Sequence, residues 1–170
     1  MSIIIDTLQT LRGFGPAEAM VATSVGAVVC ILGPLVHELG HLVPARIFGS
    51  GGRVDLFPFR ALGGIRAWVV VAAIKVPDER FRSLTACKAG AVIAGGPIAD
   101  LAFISCCLIV STWLSAQASA GIVAGGAVRA AVWVLNLVPI PVLGNDAARF
   151  VQFVWKRRVS RSVAAAEAAS

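Results

Sequence analysis

The sequence predicts an α-helical polytopic membrane protein with three core transmembrane helices, a short β region between the first and second, and a C-terminal amphipathic helix. Three observations lead there. Hydrophobic residues make up 58% of the 170 positions and charged residues 14%, against about 25% charged in an ordinary soluble domain. Three stretches stay apolar over the roughly 20 residues that a bilayer crossing requires. The basic residues gather between and after these stretches. No internal repeat or low-complexity linker divides the chain, so residues 1–170 read as a single membrane-embedded domain.

The first span runs from about Ala19 to Val43, the second from Ala89 to Leu114, and the third from about Gly121 to Val142, interrupted by Arg129 and Asn136. A cleavable leader is not expected: no Lys or Arg precedes Arg12, and cleavage would strip the apolar run from the residues that follow it. Eight basic residues (Arg46, Arg53, Arg60, Arg66, Lys75, Arg80, Arg82, Lys88) separate the first two spans, and five more (Arg149, Lys156, Arg157, Arg158, Arg161) follow the third. Alternating spans put both rich segments on one side. The positive-inside rule then places the N-terminus outside and the C-terminus in the cytoplasm. A net charge of +6 therefore reads as topology and contact with anionic lipid, and no nucleic-acid partner is expected.

Between Gly51 and Lys75, short β-rich runs flank "ALGG", which suggests one or two strands around a glycine turn; a surface loop is the alternative. After Asp146, "AARFVQFVWKRRV" sets Phe150, Phe153, Val154 and Trp155 among cations, as an interfacial helix over about 146–160 would. The alanine-rich end, Ser162 to Ser170, reads as frayed. Cys30, Cys87, Cys106 and Cys107 show no CxxC spacing and read as small hydrophobes.

The only two histidines, His37 and His41, stand four apart in "HELGH" at the end of the first span. On a helix that spacing puts both on one face, where neutral imidazoles can share a zinc ion. Glu38 between them can act as general base on a water at the metal. The alternative is a satisfied structural pair, although an ionisable cluster on a membrane span favours function. A third ligand must come from the same side. Of nine acidic residues, Asp6 and Glu18 fall on the opposite side, Glu167 in the tail, and Asp55, Asp78 and Glu79 in a polar loop. Asp146, just past the third span, is the geometric favourite. Asp100 lies at a depth similar to that of Arg129; a buried ion pair with Arg129 and a role in the site are both open. Pro97, Pro139 and Pro141 are expected to interrupt helical hydrogen bonding and line a wet cavity, ordinary tolerance of proline in membrane helices being the alternative.

With "HELGHLVPARIFG", "LFPFRALGGI", "AGGPIAD" and "NLVPIPVLGND" in this order, from about Ala19 to Phe150, the chain resembles the site-2 protease family of intramembrane zinc metalloproteases. The resemblance implies that His37, His41 and Asp146 bind one Zn²⁺ and that Glu38 is the catalytic base. Asp100, Asn136 and Pro97 would line the site or bind substrate. The family commonly has Leu-Asp-Gly where this chain reads "LGNDA", and Gly-Pro-x-x-Asn where it reads "GPIAD". The implied activity is hydrolysis of a peptide bond in a membrane-embedded protein substrate, as in regulated intramembrane proteolysis, in the bacterial cytoplasmic membrane. A regulatory partner or dimer would gate it. The rivals are an inactive zinc-binding scaffold of the same fold, a soluble zincin on a membrane anchor, and a transporter.

Overall fold

The computed structural model describes residues 13–56, 72–140 and 145–167. Helix α1 spans Pro16–Ile47, strands β1 and β2 span Arg53–Leu56 and Ala72–Lys75, and a short helix α2 spans Asp78–Arg82. Helix α3 covers Ala86–Ser111, α4 Ala116–Leu137 and α5 Asp146–Glu167. Three of these, α1, α3 and α4, are long and apolar enough to cross a membrane.

Local chemistry sets the helix ends. Pro16 occupies the first turn of α1, where a missing N–H costs nothing, and Glu18 reaches back to accept from the Gly15 amide at 2.9 Å. At 32 residues and about 1.5 Å per residue, α1 exceeds the roughly 30 Å hydrocarbon thickness. It runs through Pro34 and Pro44 and stops before Gly49, whose φ of +77° turns the chain away. Thr85 caps α3, its hydroxyl accepting from the Lys88 amide.

The third helix starts and ends about five residues earlier than hydropathy alone suggests, at Ala116 and Leu137 instead of Gly121 and Val142. Ser115 supplies an extended residue before its first turn, and Val138 is extended because Pro139 follows it. Pro97, expected to interrupt helical hydrogen bonding, lies inside an α3 that runs on without a break. The tail expected to fray from Ser162 remains helical to Glu167, as alanine's high helix propensity favours. Helix α2 was not anticipated. The "ALGG" turn and Pro141 lie outside the described residues.

The three long helices meet at glycines. A Cβ on Gly95 of α3 would strike the carbonyl of Gly40 on α1, so these backbones touch directly. Gly121 and Gly125, four apart on α4, meet α1 at Ala22, Gly26 and Val29 in the same way. This is the small-residue packing that brings apolar helices close without a polar seam. Large apolar side chains, such as Ile31, Val43, Leu101, Ile109, Val128 and Leu135, face outward, while Asp100 and Arg129 are buried between the helices. A water-soluble bundle has the opposite arrangement.

Beside one end of the bundle, β1 and β2 pair antiparallel, with Arg53 opposite Lys75 and Leu56 opposite Ala72. Asp55 bridges Arg53 (3.2 Å) and Lys75 (2.7 Å), and the Lys75 ammonium holds the Asp55 carboxyl below the ordinary range. At the same end a buried cluster of Ala45, Leu84, Ala89 and Val92 joins α1 to α3, with Phe81 and Phe153 packed against it. Phe153 stacks edge-on against Phe81 at 6.0 Å, Arg157 lies over Phe153, and Arg157 donates to the Leu84 carbonyl. These contacts dock α5 across the mouth of the bundle.

Candidate metal centre

Helical spacing alone places His37 and His41 on one face of α1, and both are buried. Asp146, the first residue of α5, reaches them from the far end of the chain. Its Oδ2 lies 2.9 Å from His37 Nε2, its Oδ1 lies 3.4 Å from His41 Nε2, and the two Nε2 atoms stand 3.1 Å apart. These three residues could hold a metal ion, one ligand atom from each lying within 4.8 Å of the others.

The partners of the other ring nitrogens show that the group suits a cation. His41 Nδ1 is 2.8 Å from the Val92 carbonyl, which can only accept, so the proton sits on Nδ1. The Gly96 amide also approaches that nitrogen, but at 3.3 Å, and the shorter contact decides the tautomer. His37 Nδ1 is 2.8 Å from Asp100 Oδ2, and the other oxygen of Asp100 is held by the Arg129 guanidinium. A carboxylate held by arginine accepts, so His37 also carries its proton on Nδ1. In the neutral rings both Nε2 atoms then present lone pairs toward each other and toward a carboxylate. Among the described residues, no hydrogen-bond donor reaches the buried Asp146 Oδ2. Three converging lone pairs repel one another unless a cation lies among them.

Gly96 completes the cradle. A Cβ there would run into His41 Nε2 and His37 Cε1, so only glycine leaves both imidazoles their space. Gly33 does the same for Arg129, whose side chain passes where a larger residue would project. The two readings of Asp100 open from sequence are therefore compatible. It is fully buried, it forms the ion pair with Arg129, and it also holds His37.

Glu38 stands next to the first ligand but outside the three-residue group. Its Oε2 accepts from the Ile74 amide at 2.7 Å, which brings strand β2 alongside the site. Pro97 follows Gly96, and its carbonyl accepts from Trp133 Nε1 at 2.9 Å, tying α3 to α4. Asn136 is half-buried in the last turn of α4 and makes no hydrogen bond to the three ligands among the described residues.

Sequence reasoning missed Asn145. Its Oδ1 accepts from the Ala148 amide (3.1 Å), capping α5, while its Nδ2 donates to the carbonyls of Leu135 (2.9 Å) and Val138 (2.6 Å). One side chain thus closes the end of α4 onto the start of α5 and fixes where Asp146 points. The available signal was an asparagine directly before a helix, a preferred cap. Compared with protein-family models, curated proteins and solved structures, the chain matches none of them.

Proposed function

We propose that this chain is a membrane-embedded zinc endopeptidase that hydrolyses a peptide bond of a membrane-protein substrate. The observation that carries the proposal is the convergence of His37 Nε2, His41 Nε2 and Asp146, with Glu38 one residue from the first ligand on the same helix. Two imidazoles and a carboxylate form a donor set that suits zinc, and three protein ligands leave one position open for chemistry. Charge points to a divalent ion. Asp100 is already paired with Arg129, while Asp146 brings a second buried carboxylate to the two imidazoles, which a divalent cation suits.

Zinc, when bound, lowers the pKa of a water toward about 7 and polarises a carbonyl. The chain's own residues do the rest. Asp100 and the Val92 carbonyl hold the imidazoles in the ligating tautomer. Glu38 takes the proton of the attacking water and passes it to the leaving nitrogen. Strand β2, whose Ile74 amide already reaches Glu38, can present an extended substrate segment to the site. The outward apolar faces of α1, α3 and α4 sit in lipid. The positive-inside rule supports a cytoplasmic site end and an outside N-terminus, as expected of a bacterial cytoplasmic membrane protein that acts in regulated intramembrane proteolysis.

The test is metal analysis of the purified protein together with cleavage of a single-span peptide in nanodiscs. Wild type should hold one zinc and cleave. Glu38→Gln should keep the zinc and lose about a hundredfold or more in rate. Zinc without cleavage in wild type would leave a metal-binding scaffold of the same fold and end the peptidase assignment.

A further inference from the structure

Of the three candidate ligands, Asp146 alone comes from outside α1, so the metal centre depends on where α5 lies. One anchor, Asn145, is adjacent to it. A second lies farther along the same helical face. Phe153 and Arg157 follow Asp146 by seven and eleven positions, close to two and three full turns, so all three side chains point to one side of α5. Along α3 the facing positions descend in step. Gly96 stands against both imidazoles, Ala89 and Val92 belong to the cluster under Phe153, and the Leu84 carbonyl receives the Arg157 guanidinium.

The far anchor is specific. Leu84 precedes Thr85, the cap of α3, whose own carbonyl accepts from the Ala89 amide. The Leu84 carbonyl therefore lies outside the hydrogen-bond ladder of that helix and takes its donor from elsewhere. Arg157 supplies it while its guanidinium lies 4.7 Å from the centroid of the Phe153 ring. The start of a helix disfavours a cation, so the carbonyl and the ring hold Arg157 there against the dipole of α3. Arg157 is half-buried, whereas Arg158, one position on, is exposed.

We propose that Arg157 is a positioning residue for the metal centre, fixing the register of α5 along α3 so that Asp146 meets the two imidazoles. The inference rests on the reading of His37, His41 and Asp146 as a metal site, and it does not need the peptidase assignment. A slip of one helical turn moves α5 by about 5.4 Å, more than the separation of Asp146 from either histidine, 2.9 and 3.4 Å. Coulomb's law alone gives the opposite expectation: a cation near the site weakens metal binding, so its removal would tighten it. The sign of the change therefore separates positioning from charge. Linkage adds a reciprocal effect. If the Arg157 contact strengthens metal binding, bound metal strengthens that contact by the same factor.

Two substitutions isolate the bond: Arg157→Met keeps an apolar stem on Phe153 and removes the donor, whereas Arg157→Lys keeps a donor. Zinc affinity is measured by chelator competition in nanodiscs of neutral lipid, and Co²⁺ in place of zinc reports coordination geometry through its visible absorption. Arg157→Met should bind zinc about tenfold more weakly, as loss of a group that orients a ligand does, and show an altered Co²⁺ spectrum. Arg157→Lys should recover most of the affinity and the spectrum, and Arg158→Met should match wild type in both. Equal or tighter zinc binding by Arg157→Met, or an equal loss in Arg158→Met, would overturn the inference. In wild-type protein, hydrogen exchange from Phe153 to Arg157 should slow when zinc is added. Exchange there indifferent to zinc would overturn the inference even if Arg157→Met fails to fold. A wild type that binds neither metal removes the centre and the inference with it. Weaker binding by Arg157→Met in a protein that cleaves no peptide leaves the inference standing and ends only the peptidase assignment.

Discussion

Asp100 Oδ2 lies 2.8 Å from His37 Nδ1, joining α3 to α1 inside the bundle. The bond holds one imidazole in its ligating tautomer, and Arg129 holds the carboxylate that makes it. Carboxylates that orient metal-bound histidines typically contribute 10–100-fold in affinity. Asp100→Asn, which keeps an acceptor but loses the charge, should weaken zinc binding by roughly that factor in chelator competition. Asp100→Leu should also unfold the protein, because an arginine stranded among apolar helices costs about 3–5 kcal/mol. Asp100→Leu combined with Arg129→Met should recover the fold but not the metal affinity. Failure to recover the fold would argue against the pair as its structural cause.

Gly96→Ala should abolish metal binding, because the added methyl enters the space of both imidazoles. Gly126→Ala is the matched control: a Cβ there meets nothing within 4 Å. It should leave metal content unchanged and hold or slightly raise Tm, since alanine is the better helix former. Comparing metal content and Tm of the two variants checks both statements.

Asn145→Ala removes the α5 cap and both bonds to the end of α4. Loss of such a cap costs about 1 kcal/mol, read as a fall in Tm. Metal affinity should fall too, although Asn145 is not a ligand, because Asp146 loses its fixed direction. Asn145→Asp keeps the cap acceptor but not the donated bonds, and should fall between the two. Equal metal affinity in all three proteins would detach Asn145 from the site.

Metal removal has a defined signature. Ligands must be unprotonated to bind, so acidification should release the metal. Chelation should lower thermal stability, since a ligand at about 100 times its Kd contributes about 2.7 kcal/mol to the folded state. Asp146→Ala should show the lower stability without chelator and no further change with it. Full zinc retention in Asp146→Ala would remove that residue from the ligand set.

Much of this was legible in the sequence because the relevant forces are local. The apolar runs mark α1, α3 and α4, and four-residue spacing sets His37 and His41 on one helical face whatever surrounds them. Helix ends were less legible. Hydropathy averages over a window, whereas Ser115 and Pro139 act on single peptide units. At Pro97 the long packed helix α3 absorbs the lost hydrogen bond without ending.

The sequence by itself singled out the candidate side chains: two histidines, one glutamate between them, and a short list of carboxylates. Tertiary structure decided how they combine. Asp100, Arg129 and His37 are 29 and 63 positions apart in the two contacts that link them, and Asp146 meets His37 where α5 docks on the bundle through Phe153 and Arg157 and is tied to α4 by Asn145. No pattern in the chain encodes those distances. They follow from glycine-lined helix crossings, which bring the backbones close enough for buried charges to find one another rather than lipid.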